Sequence, residues 1–428
     1  MRCTYLLLCA CLLASCSGIR STRPRLDGQL ALEVSRIQAI DNHAHPMRVT
    51  VPGEKDTEYD ALPVEAMEPF SMPLRLRPDN PEFANAWQRL YGGKEAKSRV
   101  IQEKGDAYPA WVLDQLKIQT MLANRVAMGR GLAKPRFLWV PFADALLFPL
   151  NNESLARRNP EYRSFFGGEE KLLKQYLADA GLQAAPHALG DYLSKVVTAT
   201  LERQRHDGAV AVKFEAAYLR PLDFADAAQA EAERVYAAGQ AGKSPADTQY
   251  KILQDFLFRY IAAECGRLGL AVHLHVAAGA GSYFQVGGAN PLLLEPVLND
   301  PRLRRTNFVF VHGGWPFTRE MEALLTKPNA YCDFSLQTYL TYPEELSQVL
   351  REWLEFVPEK VLFGTDASPF SPDVNWEETA LIAANSGREA LSGALTGMLR
   401  DGEVTREHAV QLAHMVLHDN ARKLYGLP

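Results

Sequence analysis

The sequence predicts an α/β fold, a TIM-like (β/α)8 barrel with helical cap insertions after its first and third strands. Three observations lead there. Short β-branched or aromatic runs alternate with longer amphipathic stretches, the pattern of parallel strands joined by helices. Eight such runs can be read, and eight strand–helix units argue for a closed barrel. No glycine-rich phosphate turn follows the first run, as an open doubly wound sheet would more often show.

The strand-like runs are Gln38–Asn42, Ile118–Leu122, Arg136–Phe142, Ala209–Phe214, Ala271–His275, Asn307–His312, Asn329–Phe334 and Lys360–Gly364. Helical patterns between them include Leu189–Gln204, Gln249–Leu268, Pro316–Leu325 and Pro343–Phe356. Two segments are longer than connections require: Pro46 to about Ala107, and Ala143 to about Ala188. Each follows the carboxyl end of a strand, so each is expected over the barrel mouth. Helical pieces such as Glu82–Tyr91 and Glu169–Ala180 read as parts of that cap.

Residues 1–15 read as an export signal, with Arg2 ahead of the apolar run Leu6–Leu13, which is too short to span a bilayer. Leu13-Ala14-Ser15-Cys16 resembles the lipobox of bacterial lipoproteins, which implies a lipidated Cys16; an ordinary secretory signal is the alternative. Residues 16–35 would then form a lipid-anchored tether and 36–428 the barrel. The expected location is the bacterial cell envelope, on the periplasmic or outer face of a membrane, with the lipid as the sole membrane contact. The formal charge of −5 is spread along the chain without a basic block, which argues against nucleic acid as a partner. Of six cysteines only Cys265 and Cys332 lie in the body, with no CxxC spacing, so neither a disulfide framework nor a thiolate metal site is indicated.

Candidate chemistry gathers at strand ends. In Ile40-Asp41-Asn42-His43-Ala44-His45, two histidines separated by one residue on a strand would aim at one point. Imidazole suits zinc, iron, nickel or cobalt, although two surface histidines would give the same pattern. Val272-His273-Leu274-His275 ends the fifth run, with His275 nearer the mouth and His273 one layer deeper, a core histidine or a partner behind the ligands. Phe308-Val309-Phe310-Val311-His312-Gly313-Gly314 closes an apolar run on a titratable group, and Val361-Leu362-Phe363-Gly364-Thr365-Asp366 repeats the grammar with an acid. All four fall at the carboxyl ends of their strands, the end at which barrels assemble active sites.

This order resembles the amidohydrolase superfamily, whose pattern is HxH, His, His and Asp on those strands. The nodulin-like branch, known also as an appendage on glutamine-synthetase-like proteins, is the nearest likeness, carried by Lys213 with Ala216-Ala217-Tyr218, by Val272–Gly279 with Asn290-Pro291, by His312 with Pro316-Phe317, and by Phe363–Asp366. The resemblance is clear from Ala209 onward and thin between Pro46 and Gln204. It implies a divalent metal, zinc foremost, as one or two ions held among His43, His45, Lys213, His275, His312 and Asp366, with Asp366 and His312 catalytic. A carboxylated Lys213 would bridge two ions; an unmodified one would hold a substrate carboxylate. Tyr218, Arg220 and His273 are candidate substrate contacts, Arg220 through its planar fork. Two departures touch the pocket: Leu219 intervenes between Tyr218 and Arg220, and Val276-Ala277 stands where Thr-Gly is usual. The implied function is metal-dependent hydrolysis of an amide, a γ-glutamyl-like isopeptide or a lactone bond in a small substrate. A metal-dependent non-oxidative decarboxylase and a non-catalytic binding lipoprotein are the alternatives.

Overall fold

The computed structural model describes residues 26–51 and 53–428. Cys16 and the expected signal lie outside the described residues. Among the described residues eight strands follow one another: β1 (Ala39–Ala44), β2 (Ile118–Asn124), β3 (Phe137–Val140), β4 (Ala211–Phe214), β5 (Ala271–His275), β6 (Phe308–Val311), β7 (Ala330–Asp333) and β8 (Val361–Leu362). All neighbouring pairs are parallel, in one sheet ordered β1-β2-β3 and another ordered β4 to β8.

Backbone hydrogen bonds cross both gaps between the sheets. Lys213 N donates to Pro141 O at 2.8 Å and Ala143 N to Lys213 O at 2.8 Å, tying β3 to β4. Asn42 N donates to Phe363 O at 2.9 Å and Asp366 N to His43 O at 2.7 Å, tying β1 to β8. Strand order is therefore chain order all the way round.

The strands are apolar because they face packing on both sides. Ile40, Leu122, Leu138, Val140, Ala211, Ala271, Val309 and Leu362 form one buried cluster, joined by Ala421 of the C-terminal helix Asn420–Tyr425. Outside the strands, the helix Asp247–Leu268 turns Leu253, Leu257, Phe258, Ile261 and Ala262 inward, each worth about 1.5–3 kcal/mol when fully buried if aliphatic or aromatic and large. Gly269 ends that helix at φ 67° and hands the chain to β5.

Three expectations change. The helix expected over Leu189–Gln204 is broken by a π-turn at Leu193–Thr198 and runs on to His206. The last strand is only two residues long, so Phe363–Asp366 is free to curl over the barrel end. The folded body also begins before the expected residue 36, because Gly28–Arg36 is a helix packed on it. Asp27 caps it by accepting from Leu30 N at 2.9 Å and pairs with Arg406, while Leu30 and Val34, one turn apart, are buried.

Both long insertions carry the helices expected of a cap, Pro81–Tyr91 after β1 and Tyr162–Asp179 after β3. The carbonyl of Tyr59 in the first reaches His45, and Glu161 in the second accepts from Glu68 N at 3.1 Å and Ser282 N at 3.0 Å. That one carboxylate ties the two insertions to the loop after β5. Among the described residues no helix is long and apolar enough to cross a membrane.

Candidate metal centre

β1 does not keep a regular register: its pairing with β2 shifts between Asp41 and Ala44. A bulge of this kind re-aims side chains. As a result Asn42 and His43, adjacent in sequence, both reach groups at the ends of other strands, Asn42 the carboxylate of Asp333 and His43 that of Asp366 beyond β8. His45 follows the strand end, its ring 5.1 Å from that of His43 and nearly perpendicular to it. Asp366 sits at φ 57° in the curl after β8, with Oδ1 3.1 Å from His43 Nε2 and 3.7 Å from His45 Nε2. The ligand atoms of this trio all lie within 4.8 Å of one another.

Partners behind the trio orient it. His45 Nδ1 faces the Tyr59 carbonyl at 2.9 Å, which can only accept, so Nδ1 carries the hydrogen and Nε2 is the bare nitrogen. The Asn124 amide nitrogen donates to His43 Nδ1 at 2.7 Å and to Ala44 O at 3.2 Å. The neutral His43 ring therefore carries its hydrogen on Nε2, which faces the cavity and would give that proton up to a metal. Tyr339 donates its hydroxyl to Asp366 Oδ2 at 2.5 Å.

His275 and His312 stand against each other, His275 Nδ1 being 3.1 Å from His312 Nε2. His312 has φ 71°, and the next two glycines are also left-handed. Gly313 has to be glycine: at φ 58° a Cβ would press on the Trp353 ring and come within 2.9 Å of Asp333 O. Lys213, fully buried, places Nζ 3.4 Å from His43 Nε2 and 3.6 Å from Glu215 Oε1.

Electrostatics suit a cation. Burial, reinforced by the Lys213 charge, holds His43 and His275 well below the ordinary imidazole range, and His45 is pushed down to about 3 by the same causes. Burial and then His275 do the same to His312. These rings are neutral at physiological pH, the form that binds metal. Burial pushes Asp366 up to about 7, against the Tyr339 hydrogen bond and Lys213, which pull it down. His275 Nε2 is buried without a hydrogen-bond partner. Neutral imidazoles, a carboxylate and an unpartnered buried nitrogen make a donor set that fits a divalent transition metal.

Tyr218 is brought to this group, its ring 4.8 Å from that of His275. Arg220 and His273 are not, and both assignments as substrate contacts are corrected. Arg220 spends its fork on Asp255 at 2.7 Å and Gln254 at 3.0 Å and lies over Phe224, because the helix Asp247–Leu268 meets the barrel there. His273 is fully buried and bonds Tyr425 of the C-terminal helix at 2.8 Å, deeper in the barrel interior.

Sequence reasoning missed several groups. Asp333 and Glu215 stand at the ends of β7 and β4, the same positional signal that marked Asp366, and could have been found. Asp60 and Glu169 come from the insertions and Tyr339 from the loop after β7, where no strand pattern points. Asp60, Glu215 and His45 form a second trio within 4.8 Å. Burial and mutual repulsion hold Asp60, Asp144 and Glu169 well above the ordinary carboxyl range.

Imidazoles and a carboxylate gathered at the carboxyl ends of β1, β5, β6 and β8 define a metal-site barrel of amidohydrolase type. The chain belongs to the amidohydrolase family, whose family model matches residues 159–427; metal dependence is general in that superfamily. Protein fluG of Emericella nidulans is 29% identical over 195 residues, which cover 44% of this chain and 22% of that protein, so the match spans about a fifth of its length. Among solved structures, a chain from Lactobacillus casei ATCC 334, assigned provisionally as a metal-dependent hydrolase, superposes with a TM-score of 0.59 at 16% identity over 93% of this chain and 97% of its own. Uronate isomerase from Bacillus halodurans C-125 does so with 0.60 at 13% identity, over 94% and 96%. Glucuronate isomerase from Caulobacter crescentus gives 0.60 at 14%, over 93% of each. At such identities these likenesses show the fold alone.

Proposed function

We propose that this protein is a metal-dependent hydrolase that cleaves an amide, isopeptide or lactone bond of a small substrate with an activated water. The observation that carries it is the convergence of His43 Nε2, His45 Nε2 and Asp366 Oδ1 at the barrel mouth, each oriented by a partner behind it. These three, with His275, would hold one divalent ion, which when bound lowers the pKa of its water from 15.7 to about 7 and polarises the scissile carbonyl. Asp366 takes the water's proton at Oδ1 and returns it to the leaving nitrogen or oxygen. Tyr339 donates to Oδ2, so Oδ1 is the oxygen that would serve both as ligand and as proton acceptor. The Tyr218 ring and the cap wall the site and exclude bulk water, which strengthens each electrostatic contact.

Charge supports a single ion with Lys213 as an ammonium. Glu215 Oε1 lies 3.6 Å from Lys213 Nζ, and the Lys213 charge works against the raised pKa values of Asp366, Asp60 and Asp144. Burial favours the protonated form of these acids, and a positive Lys213 is the group that favours their ionised form. A carboxylated lysine would add one more anion beside Glu215. Of the two roles open to Lys213 this favours the unmodified ammonium, which would face an anionic group of the substrate.

The test is a screen of the metal-loaded full chain against γ-glutamyl amides, dipeptides and lactones, with amine or acid release as readout. Hydrolysis of one class that stops on chelation and returns with metal is expected. Release of carbon dioxide from an aromatic or enoic acid in place of hydrolysis would overturn the reading in favour of a decarboxylase.

A further inference from the structure

A continuous run of hydrogen bonds joins the candidate ligands to the C-terminal helix through the barrel interior, and the direction of every bond in it can be worked out. The fixed point is Asp333 at the end of β7, fully buried. Its Oδ1 accepts from His312 N at 2.9 Å, Ser335 N at 3.0 Å and Ser335 Oγ at 2.5 Å. Its Oδ2 accepts from Asn42 Nδ2 at 2.6 Å. Backbone and amide N–H groups can only donate, so both oxygens of this carboxylate act as acceptors, and the Ser335 hydroxyl donates to Oδ1 as well.

Towards the site, the single hydroxyl hydrogen of Ser335 is committed to Asp333, so Ser335 Oγ has only lone pairs for His312 Nδ1, 2.9 Å away. His312 therefore carries its hydrogen on Nδ1 and has a bare Nε2. That bare nitrogen faces His275 Nδ1 at 3.1 Å, so His275 is the donor and its own Nε2 is bare. Away from the site, Asn42 gives its nitrogen to Asp333 and offers its oxygen to the Tyr425 hydroxyl. Tyr425 has spent its hydrogen there, so His273 donates from Nε2 to the Tyr425 oxygen at 2.8 Å, and His273 Nδ1 is bare. The two nitrogens left bare at the ends of this scheme, His275 Nε2 and His273 Nδ1, are the same two ring nitrogens of these histidines that are buried without a partner. Both come out as stranded acceptors. Neither is an N–H donor buried without an acceptor.

We propose that Asp333 and Ser335 are positioning residues that fix His312 and, through it, His275 in the Nδ1–H form, so that His275 presents a bare Nε2 as a ligand. Neither residue touches the metal or substrate. Their effect is to choose which nitrogen of a neutral imidazole is available, which decides whether that ring can bind a cation without first exchanging a proton. The ligand half of the proposal rests on the metal-site reading above; the tautomer half does not.

The test uses the full chain labelled with 15N-histidine. Two-bond 1H–15N correlation separates bare from protonated ring nitrogens, with His312→Gln, His275→Gln and His273→Gln spectra supplying assignments. In metal-stripped protein at neutral pH, His312 and His275 are expected as Nδ1–H and His273 as Nε2–H. An Nε2–H form at His312 overturns the proposal, and this arm needs no variant beyond those used for assignment. The second arm is Ser335→Ala, for which zinc affinity measured by chelator competition should fall about 10–100-fold. Ser335→Thr, which keeps the hydroxyl, should restore it. An unchanged affinity with His312 still Nδ1–H in Ser335→Ala also overturns the proposal. If the unaltered chain binds neither zinc nor another divalent transition metal, the hydrolase reading fails, and the spectrum still decides the tautomers.

Discussion

Replacing Arg220 by methionine separates a structural role from a substrate-binding one. The guanidinium donates to Asp255 at 2.7 Å, Gln254 at 3.0 Å and Pro221 O at 3.0 Å, and it lies 4.4 Å above the Phe224 ring. Removing one member of a buried ion pair costs about 3–5 kcal/mol, chiefly by stranding the partner charge. Asp255 is not fully stranded, because Lys251 Nζ remains 2.7 Å from its other oxygen. That argues for the lower end, about 3 kcal/mol, including roughly 0.5–1 kcal/mol for the lost ring contact. Methionine keeps the apolar stem, so little cavity is added. In a chain of this size such a loss lowers Tm by about 3–6 °C. The assay is a thermal melt run beside Michaelis kinetics on whichever substrate class the screen identifies. The expected result is a lowered Tm with KM within about twofold of the parent. An unchanged Tm with KM raised about tenfold, some 1.4 kcal/mol of lost binding, would refute the structural assignment and restore Arg220 as a carboxylate clamp.

Other perturbations have equally definite outcomes. Tyr339→Phe removes the hydrogen bond that lowers the Asp366 pKa, so the group rises further above its value of about 7, and the acid limb of kcat/KM should move to higher pH by roughly 1–2 units, as a charged hydrogen bond of about 1.5–3 kcal/mol requires. A pH–rate profile with an unmoved acid limb would contradict that role for Asp366. Gly313→Ala forces a Cβ onto Trp353 and Asp333 O at φ 58°, so a loss of about 2–4 kcal/mol in a denaturant melt is expected, and a neutral effect would show that the His312 turn is not as rigid as drawn. If the lipobox reading of Leu13–Cys16 holds, mass analysis of membrane-fraction protein finds a diacylglyceryl cysteine at residue 16; an unmodified terminus elsewhere removes it.

Much of this arrangement was legible in the sequence because barrels put chemistry at strand ends, and strand ends are marked by where apolar runs stop. His43, His45, His275, His312 and Asp366 were readable for that reason, as were the eight strands and both caps. Arg220 was misread because a local motif cannot show what packs against it: its partners, Gln254 and Asp255, arrive from a helix more than thirty residues on. His273 illustrates a limit of strand alternation, which places two histidines on one face without giving their depth. Asp60 and Glu169 were invisible, since insertions carry no period that ties a residue to the mouth. Lys213 was seen, but its charge state depends on those unseen acids.

Metal binding at the barrel mouth is decided by the metal content of the purified full chain beside His43→Ala and Lys213→Ala, reconstituted with zinc, freed of excess and measured by elemental analysis with a circular-dichroism check of folding. About one ion per chain is expected in the parent, close to none in folded His43→Ala, and an unchanged ion in Lys213→Ala. Full metal content in His43→Ala would contradict the site, and two ions in the parent with one lost in Lys213→Ala would contradict the single-ion reading.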